Sequence, residues 1–246
     1  MTTLYKKEIM AVNINTVYQR VLAIANKEQR GYITPQEFNL FANQAQLDIF
    51  EQYFYDLNQF SRGLGNDTTY SDMLDILNEK IDIFERYRQS IVDLSNTGVG
   101  TFPAHYRMGE VYYKYDGQYI EIEKIDQNQI HHIQNSPLIA PTVTRPCYVN
   151  LTELTFQIYP LITDEVNVVC NYIATPAVVN WGYVINSNNS SALYNSNTSI
   201  NFELHASEET ELVIKILELA GIQIKDPQVY QIAAQEEAQN VQQEKQ

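Results

Sequence analysis

With 246 residues, 44% of them hydrophobic, the chain is long enough for one large domain or two small ones and can bury a proper core. Its net charge of −14 argues against gripping nucleic acid by the phosphates, which needs clustered Lys and Arg, but fits a wall that duplex DNA slides past without sticking as well as it fits a simple soluble protein. Only 19% of residues are charged, the two cysteines make no disulfide framework, and much of the polarity falls to Asn, Gln and 18 tyrosines.

Residues 1–12 read as a loose leader without the apolar core of a signal peptide, and no apolar run reaches the length of a membrane span. The expected compartment is therefore the cytoplasm. Asn15 is the predicted cap of a first helix over 16–30, with Val17, Val21, Ile24 and Ala25 inward and Gly31 as its stop. The stretch 33–62 carries the fullest helix-start signature in the chain. Thr34 caps, Pro35 takes the first helical position, Glu37 closes a capping box and Ile33 faces Phe38 as a hydrophobic staple. Phe38, Phe41, Ala45, Ile49, Tyr53, Leu57 and Phe60 form one face, which Leu40, Leu47, Phe50 and Phe54 widen past half the circumference. Such a helix has to be wrapped, by its own chain or by a neighbour.

A turn cluster at 62–67 leads to a third predicted helix over 71–91, with Leu74, Leu77, Ile81 and Phe84 inward. After Gly98 the period changes to two. Asp116-Gly117 between two alternating runs is a hairpin signal, and 126–134 reads as a brief helical turn with Ile130 and Ile133. Pro137, Pro141 and Pro146 punctuate an extended crossing. Strands follow at 148–149, 154–158 and 166–172. The Asn/Ser-rich stretch 181–201 reads as a loop or hairpin excursion. Helix returns at Ser207, the predicted cap, and stops at Gly221; Asp226-Pro227 opens a last helix with Tyr230, Ala233 and Ala234 as a thin apolar stripe. The polar tail beyond it is expected to be disordered or docked on a partner.

This order implies an α+β fold: a helical bundle formed by N- and C-terminal helices with an inserted small antiparallel β-domain. The expected boundaries are 1–97 for the N-terminal bundle, 98–206 for the β-domain and 207–246 for the C-terminal helices and tail.

No constellation for catalysis emerges, so the chain reads as a non-enzyme without cofactor or metal. The Gly-rich stretch at 62–65 lacks the Lys and preceding strand of a phosphate loop. His131 and His132 are adjacent and point to different sides; His105 and His205 are isolated. Cys147 and Cys170, expected on neighbouring strands, read as small buried hydrophobes. Asp164-Glu165 lacks the repeat of a calcium loop, and Glu121 with Glu123 reads as a solvated strand face.

The block at residues 12–57 resembles one found in structural proteins of crAss-like and related tailed bacteriophages. The segments S-P-L-I-A-P-T-V-T-R-P-C-Y-V-N, F-Q-I-Y-P and V-N-V-V-C-N-Y-I-A-T-P, between Ser136 and Pro176, are similar to those of short-tailed phage head-to-tail adaptors, where a β-segment is inserted into a helical bundle. The Asn/Ser insert and the last helix fall outside both blocks. The resemblance implies a head-to-tail connector at the head-tail junction of a virion, made in the host bacterial cytoplasm. It further implies a ring of about twelve copies below the portal protein, neighbouring tail or connector rings, and double-stranded DNA passing through the lumen. No catalytic position carries over. Candidate interface residues are Phe50, Tyr53, Phe54, Tyr230, Ala233 and Ala234. The other readings are another virion component, such as a tail-tube or capsid-associated cargo protein, and a monomeric host-interaction module.

Overall fold

A computed structural model describes residues 11–27, 33–62, 68–91, 93–162, 167–185 and 192–223. Within them the chain is mixed α+β, with five α-helices and sheets that are antiparallel except for one pair of strands. It divides into two compact units, one made of Met1–Ile83 and Pro176–Gln246, the other of Phe84–Thr175. The expected boundaries shift accordingly: 84–97 belongs with the strands, and 176–206 belongs with the helices.

The helical unit holds α1 (Ile14–Lys27), α2 (Pro35–Arg62), α3 (Thr68–Asp82) and α5 (Glu209–Gln223). Helix α2 packs against α3 and α5, and α1 packs against α5. Helix α1 starts earlier than Asn15 implies, because Asn13 is the residue whose side chain accepts from the N–H groups of Asn15 and Thr16. The start of α2 follows the capping-box reading: the Glu37 N–H donates to Thr34 Oγ1 at 3.3 Å, and the Thr34 N–H donates to the Glu37 carboxylate at 2.9 Å. That backbone bond, with the Thr34 hydroxyl, holds the Glu37 carboxyl below the usual carboxylate range. Ile33 and Phe38 are both buried.

The buried face of α2 runs through Phe38, Ala42, Ala45, Gln46, Ile49, Phe50, Tyr53 and Phe54. Leu40 and Leu47 do not widen it; Leu40 is 72% exposed. The C-terminal helix begins differently from the expectation at Ser207. His205 caps a 3-10 turn, Ala206–Glu208, by accepting the Ser207 N–H, and α5 follows it. Helix α5 continues two residues past Gly221, which therefore does not stop it.

The β unit contains two four-stranded sheets and α4 (Ile130–Gln134). The first sheet has the order β1-β8-β3-β4, with β1 Glu85–Ser90, β8 Val168–Ile173, β3 Arg107–Tyr115 and β4 Gln118–Glu121. The second has the order β2-β7-β6-β5, with β2 Val99–Thr101, β7 Thr155–Tyr159, β6 Cys147–Asn150 and β5 Glu123–Lys124. The third helix thus ends at Asp82, and residues 85–90 form a strand. Pairing of β1 along the edge of β8 overrides the helical spacing that Phe84 seemed to continue.

Asp116 (φ 49°) and Gly117 (φ 78°) make the two-residue turn between β3 and β4, with Tyr115 opposite Gln118. Both central residues sit at positive φ, which is what the Asp-Gly pair permits. Val111, Val168 and Cys170 from the first sheet and Tyr148, Phe156 and Ile158 from the second share one core, with Phe102 stacked on Phe156 at 4.0 Å. The expected stop at Gly31, the turn at 63–67, the Asp164-Glu165 pair and everything from 224 on lie outside the described residues.

Candidate functional site

The extended segment 177–181, which leads into the Asn/Ser-rich stretch, is tied to α2 by the helix's amide side chains. Asn39, Asn43 and Gln46 lie on one face of the helix, three and four residues apart. The extended segment 177–181 runs past them in the opposite direction. Asn43 Nδ2 donates to the Val179 carbonyl and Asn43 Oδ1 accepts the Val179 N–H, both at 2.9 Å. Asn39 Oδ1 accepts the Trp181 N–H at 2.7 Å, and Asn39 Nδ2 donates to Asn180 Oδ1 at 3.0 Å. Gln46, buried, donates to the Ala177 carbonyl at 2.8 Å and accepts the Glu203 N–H at 3.1 Å. The spacings match because four helical residues advance about 6 Å and two extended residues about 6.6 Å.

The segment ends in the chain's single tryptophan. Trp181 Nε1 donates to Asn15 Oδ1 at 3.1 Å, and its ring lies 4.3 Å from that of Tyr18, which meets Phe38 at 4.7 Å. The rings of Tyr183 and Tyr194 also pack on Trp181, with centroids 5.9 and 5.8 Å away. These two tyrosines begin and end a hairpin, β9 (Tyr183–Ile185) with β10 (Ala192–Tyr194). The opposite face of the hairpin presents the cross-strand pair Val184 and Leu193, and Ile185 lies one pair further from Trp181 on the tyrosine face; each of the three is more than half exposed.

Elsewhere in the helical unit a buried ion pair joins α3 to the 3-10 turn that precedes α5. Lys80 Nζ lies 2.7 Å from the Glu208 carboxylate, whose side chain is only 4% exposed, and Ser207 Oγ donates to the same carboxylate at 3.0 Å. The Lys80 ammonium also lies over the Tyr53 ring, 5.5 Å from its centroid. Nearer the solvent, Arg20 of α1 meets Glu209 at 3.0 Å.

The β unit offers two surfaces. The first is the solvent face of the sheet β1-β8-β3-β4. Cross-strand neighbours share a face, so the pairs Lys114–Tyr119 and Tyr112–Glu121 lie opposite the core residues Val111 and Cys170. The Tyr112 hydroxyl donates to Glu110, and that bond pushes the phenol up to about 12. The second is a recess of 730 Å³ lined by Glu121, Glu123, Asp126 and Arg145 together with apolar side chains such as Ile133 and Pro146. Glu121 and Glu123 sit either side of the buried Ile122 and are both exposed.

Most residues that the sequence singled out are not brought together. Phe50, Tyr53 and Phe54 are buried in the helical unit, where Phe50 and Phe54 meet edge to face at 5.0 Å. As candidate interface residues they are corrected to core: the chain's own packing already covers them. Tyr230, Ala233 and Ala234 lie outside the described residues. Cys147 and Cys170 fall on β6 and β8, in different sheets, rather than on neighbouring strands. Both are buried, and desolvation raises each thiol to about 11.

His131 and His132 are exposed on α4, and His105 Nδ1 pairs with the Pro103 carbonyl at 2.8 Å. Among the described residues no three His, Cys, Asp or Glu side chains are grouped to hold a metal ion, and no helix is long and apolar enough to cross a membrane. Sequence reasoning missed the amide face of α2. Its signal was present as Asn39, Asn43 and Gln46 at helical spacing beside the apolar stripe. No protein-family model and no curated protein matches this chain.

Proposed function

We propose that the chain is a structural virion protein, a head-to-tail connector that assembles as a ring below the portal and forms part of the DNA conduit. In this reading the N- and C-terminal helices make one bundle and the β unit is an insertion within it. The observation that carries the proposal is the exposed apolar hairpin: Val184, Ile185 and Leu193 stand out on a strand pair that Trp181 anchors to the helices. Apolar side chains held out by a rigid anchor favour burial against another protein. The resemblance of residues 12–57 and 136–176 to phage structural proteins supports the same conclusion, and the net charge of −14 suits a lumen that does not hold DNA.

Native mass spectrometry of the full chain, with and without the cognate portal protein, tests the proposal. Rings formed alone or on the portal are the expected result. A monomer in both samples overturns it and favours another virion component or a monomeric module.

A further inference from the structure

A ring requires one copy to present a surface that fits a different surface on the next copy, since head-to-tail contacts, unlike two-fold ones, propagate. Two described surfaces have the matching chemistry. The first is the solvent face of β1-β8-β3-β4, which carries Arg107, Lys114 and Arg88. Arg88 occupies a break in the pairing of β1 with β8. Its φ is +51°, unusual for a residue with a side chain, and its N–H donates to Asn171 Oδ1 at 2.9 Å.

The guanidinium of Arg88 lies 4.1 Å from the ring centroid of Tyr119 and 4.8 Å from that of Tyr87. Stacking on rings occupies the flat side of a guanidinium and leaves its edge N–H fork able to meet a carboxylate. Among the described residues no carboxylate forms an ion pair with Arg88, Arg107 or Lys114. The bulged backbone thus holds a stacked, preorganised cation out on the surface without an anion to pair with.

The second surface is a groove of 500 Å³ between α2 and α5. Asp48, Glu51 and Glu218 line it against the single cation Lys215, with Tyr55 63% exposed at its rim. We infer that the Arg88 face of one copy seats against the α2–α5 groove of a second copy, with Arg88 meeting Glu51. This inference rests on the connector reading and names its subunit contact.

A second protein surface fits the sheet better than a polyanion does. Glu121 shares the face with Lys114 and Tyr112, and Glu85 shares it with Arg107. A phosphate backbone would be repelled by those two carboxylates and by Glu110, which accepts the Tyr112 hydroxyl on the same face. A groove that carries Lys215 beside its carboxylates offers both signs.

The test compares the full-length chain with the variants Arg88→Glu, Lys114→Glu, Glu51→Arg and the double variant Arg88→Glu/Glu51→Arg by native mass spectrometry, with circular dichroism to check folding. Lys114 is exposed and at an ordinary backbone position, so Lys114→Glu keeps the test valid if Arg88→Glu perturbs the bulge. Each single reversal is expected to lower the assembled fraction about tenfold, and the double variant to regain much of it. A wild type that assembles beside single variants that assemble equally well overturns this contact and leaves the connector reading standing. Unchanged assembly with weakened binding to duplex DNA also overturns it, assigning the face to a polyanion. A wild type that stays monomeric, alone and with the portal, overturns the connector reading and this contact with it.

Discussion

Asn43 and Val179 exchange two hydrogen bonds of 2.9 Å, so that a carboxamide on a helix stands where the backbone of a neighbouring strand would stand. In the extended segment 177–181 the backbone of Asn180 pairs with that of Ile200 and the Ala177 N–H reaches the Glu203 carboxylate, but the Ala177 C=O and the backbone groups of the buried Val179 and Trp181 need partners as well. Three amide side chains, at Asn39, Asn43 and Gln46, supply the missing partners. Abundant Asn and Gln in this chain is therefore in part a structural requirement of the segment at 177–181.

Asn43→Ala removes both bonds and leaves the Val179 N–H and C=O unpaired in a buried position. A loss of about 2 kcal/mol is expected, read as a lower urea midpoint with the slope unchanged. Gln44→Ala, one residue along and exposed, serves as the control and is expected to stay within about 0.5 kcal/mol of wild type.

Lys80→Met leaves the Glu208 carboxylate buried without its cation. That single change is expected to destabilise by about 3 kcal/mol, while Lys80→Met combined with Glu208→Leu is expected to cost clearly less, because no buried charge then remains unpaired. A double-mutant cycle by chemical denaturation checks the pair, and equal costs for the single and double variants would refute it.

Phe50→Ala separates a core role from an interface role. Truncating a fully buried phenylalanine is expected to lower the stability of the chain by about 3–4 kcal/mol. Denaturation at protein concentrations too low for assembly reads that loss directly. A variant of wild-type stability that fails only to assemble would restore Phe50 to the interface.

The two thiols make a prediction in pH. Each is raised from an ordinary value of 9.0 to about 11, so the folded chain holds these protons more tightly than the unfolded one. Their contribution to stability is complete below pH 9 and is lost as pH rises toward 11. At pH 8 the thiolate fraction in the folded chain is roughly a hundredfold lower than in the unfolded chain. Modification by a disulfide reagent is therefore expected to be slow in buffer and rapid in guanidinium; rapid reaction of the native chain would refute the burial.

Two local signals were enough by themselves, whereas the single-residue signals at Asn15, Ser207 and Gly221 missed the ends of α1 and α5. Thr34, Pro35 and Glu37 specify where α2 begins because a capping box closes within four residues, and Asp116-Gly117 specifies the β3–β4 turn because few residues tolerate positive φ at both positions. Period-two alternation likewise located β7 and β8. Tertiary packing decided the rest. Residues 85–90 became a strand because β8 offered an edge, a partner more than 75 residues away along the chain. Trp181 and its hairpin joined the helices because a single indole fits between Tyr18, Tyr183 and Tyr194 while its N–H reaches Asn15. Periodicity marks which side chains must be covered, but not by what. For Phe50, Tyr53 and Phe54 the cover is the chain's own packing, and Leu40 and Val184 are left bare because apolar character is a property of the residue and burial is a property of its neighbours.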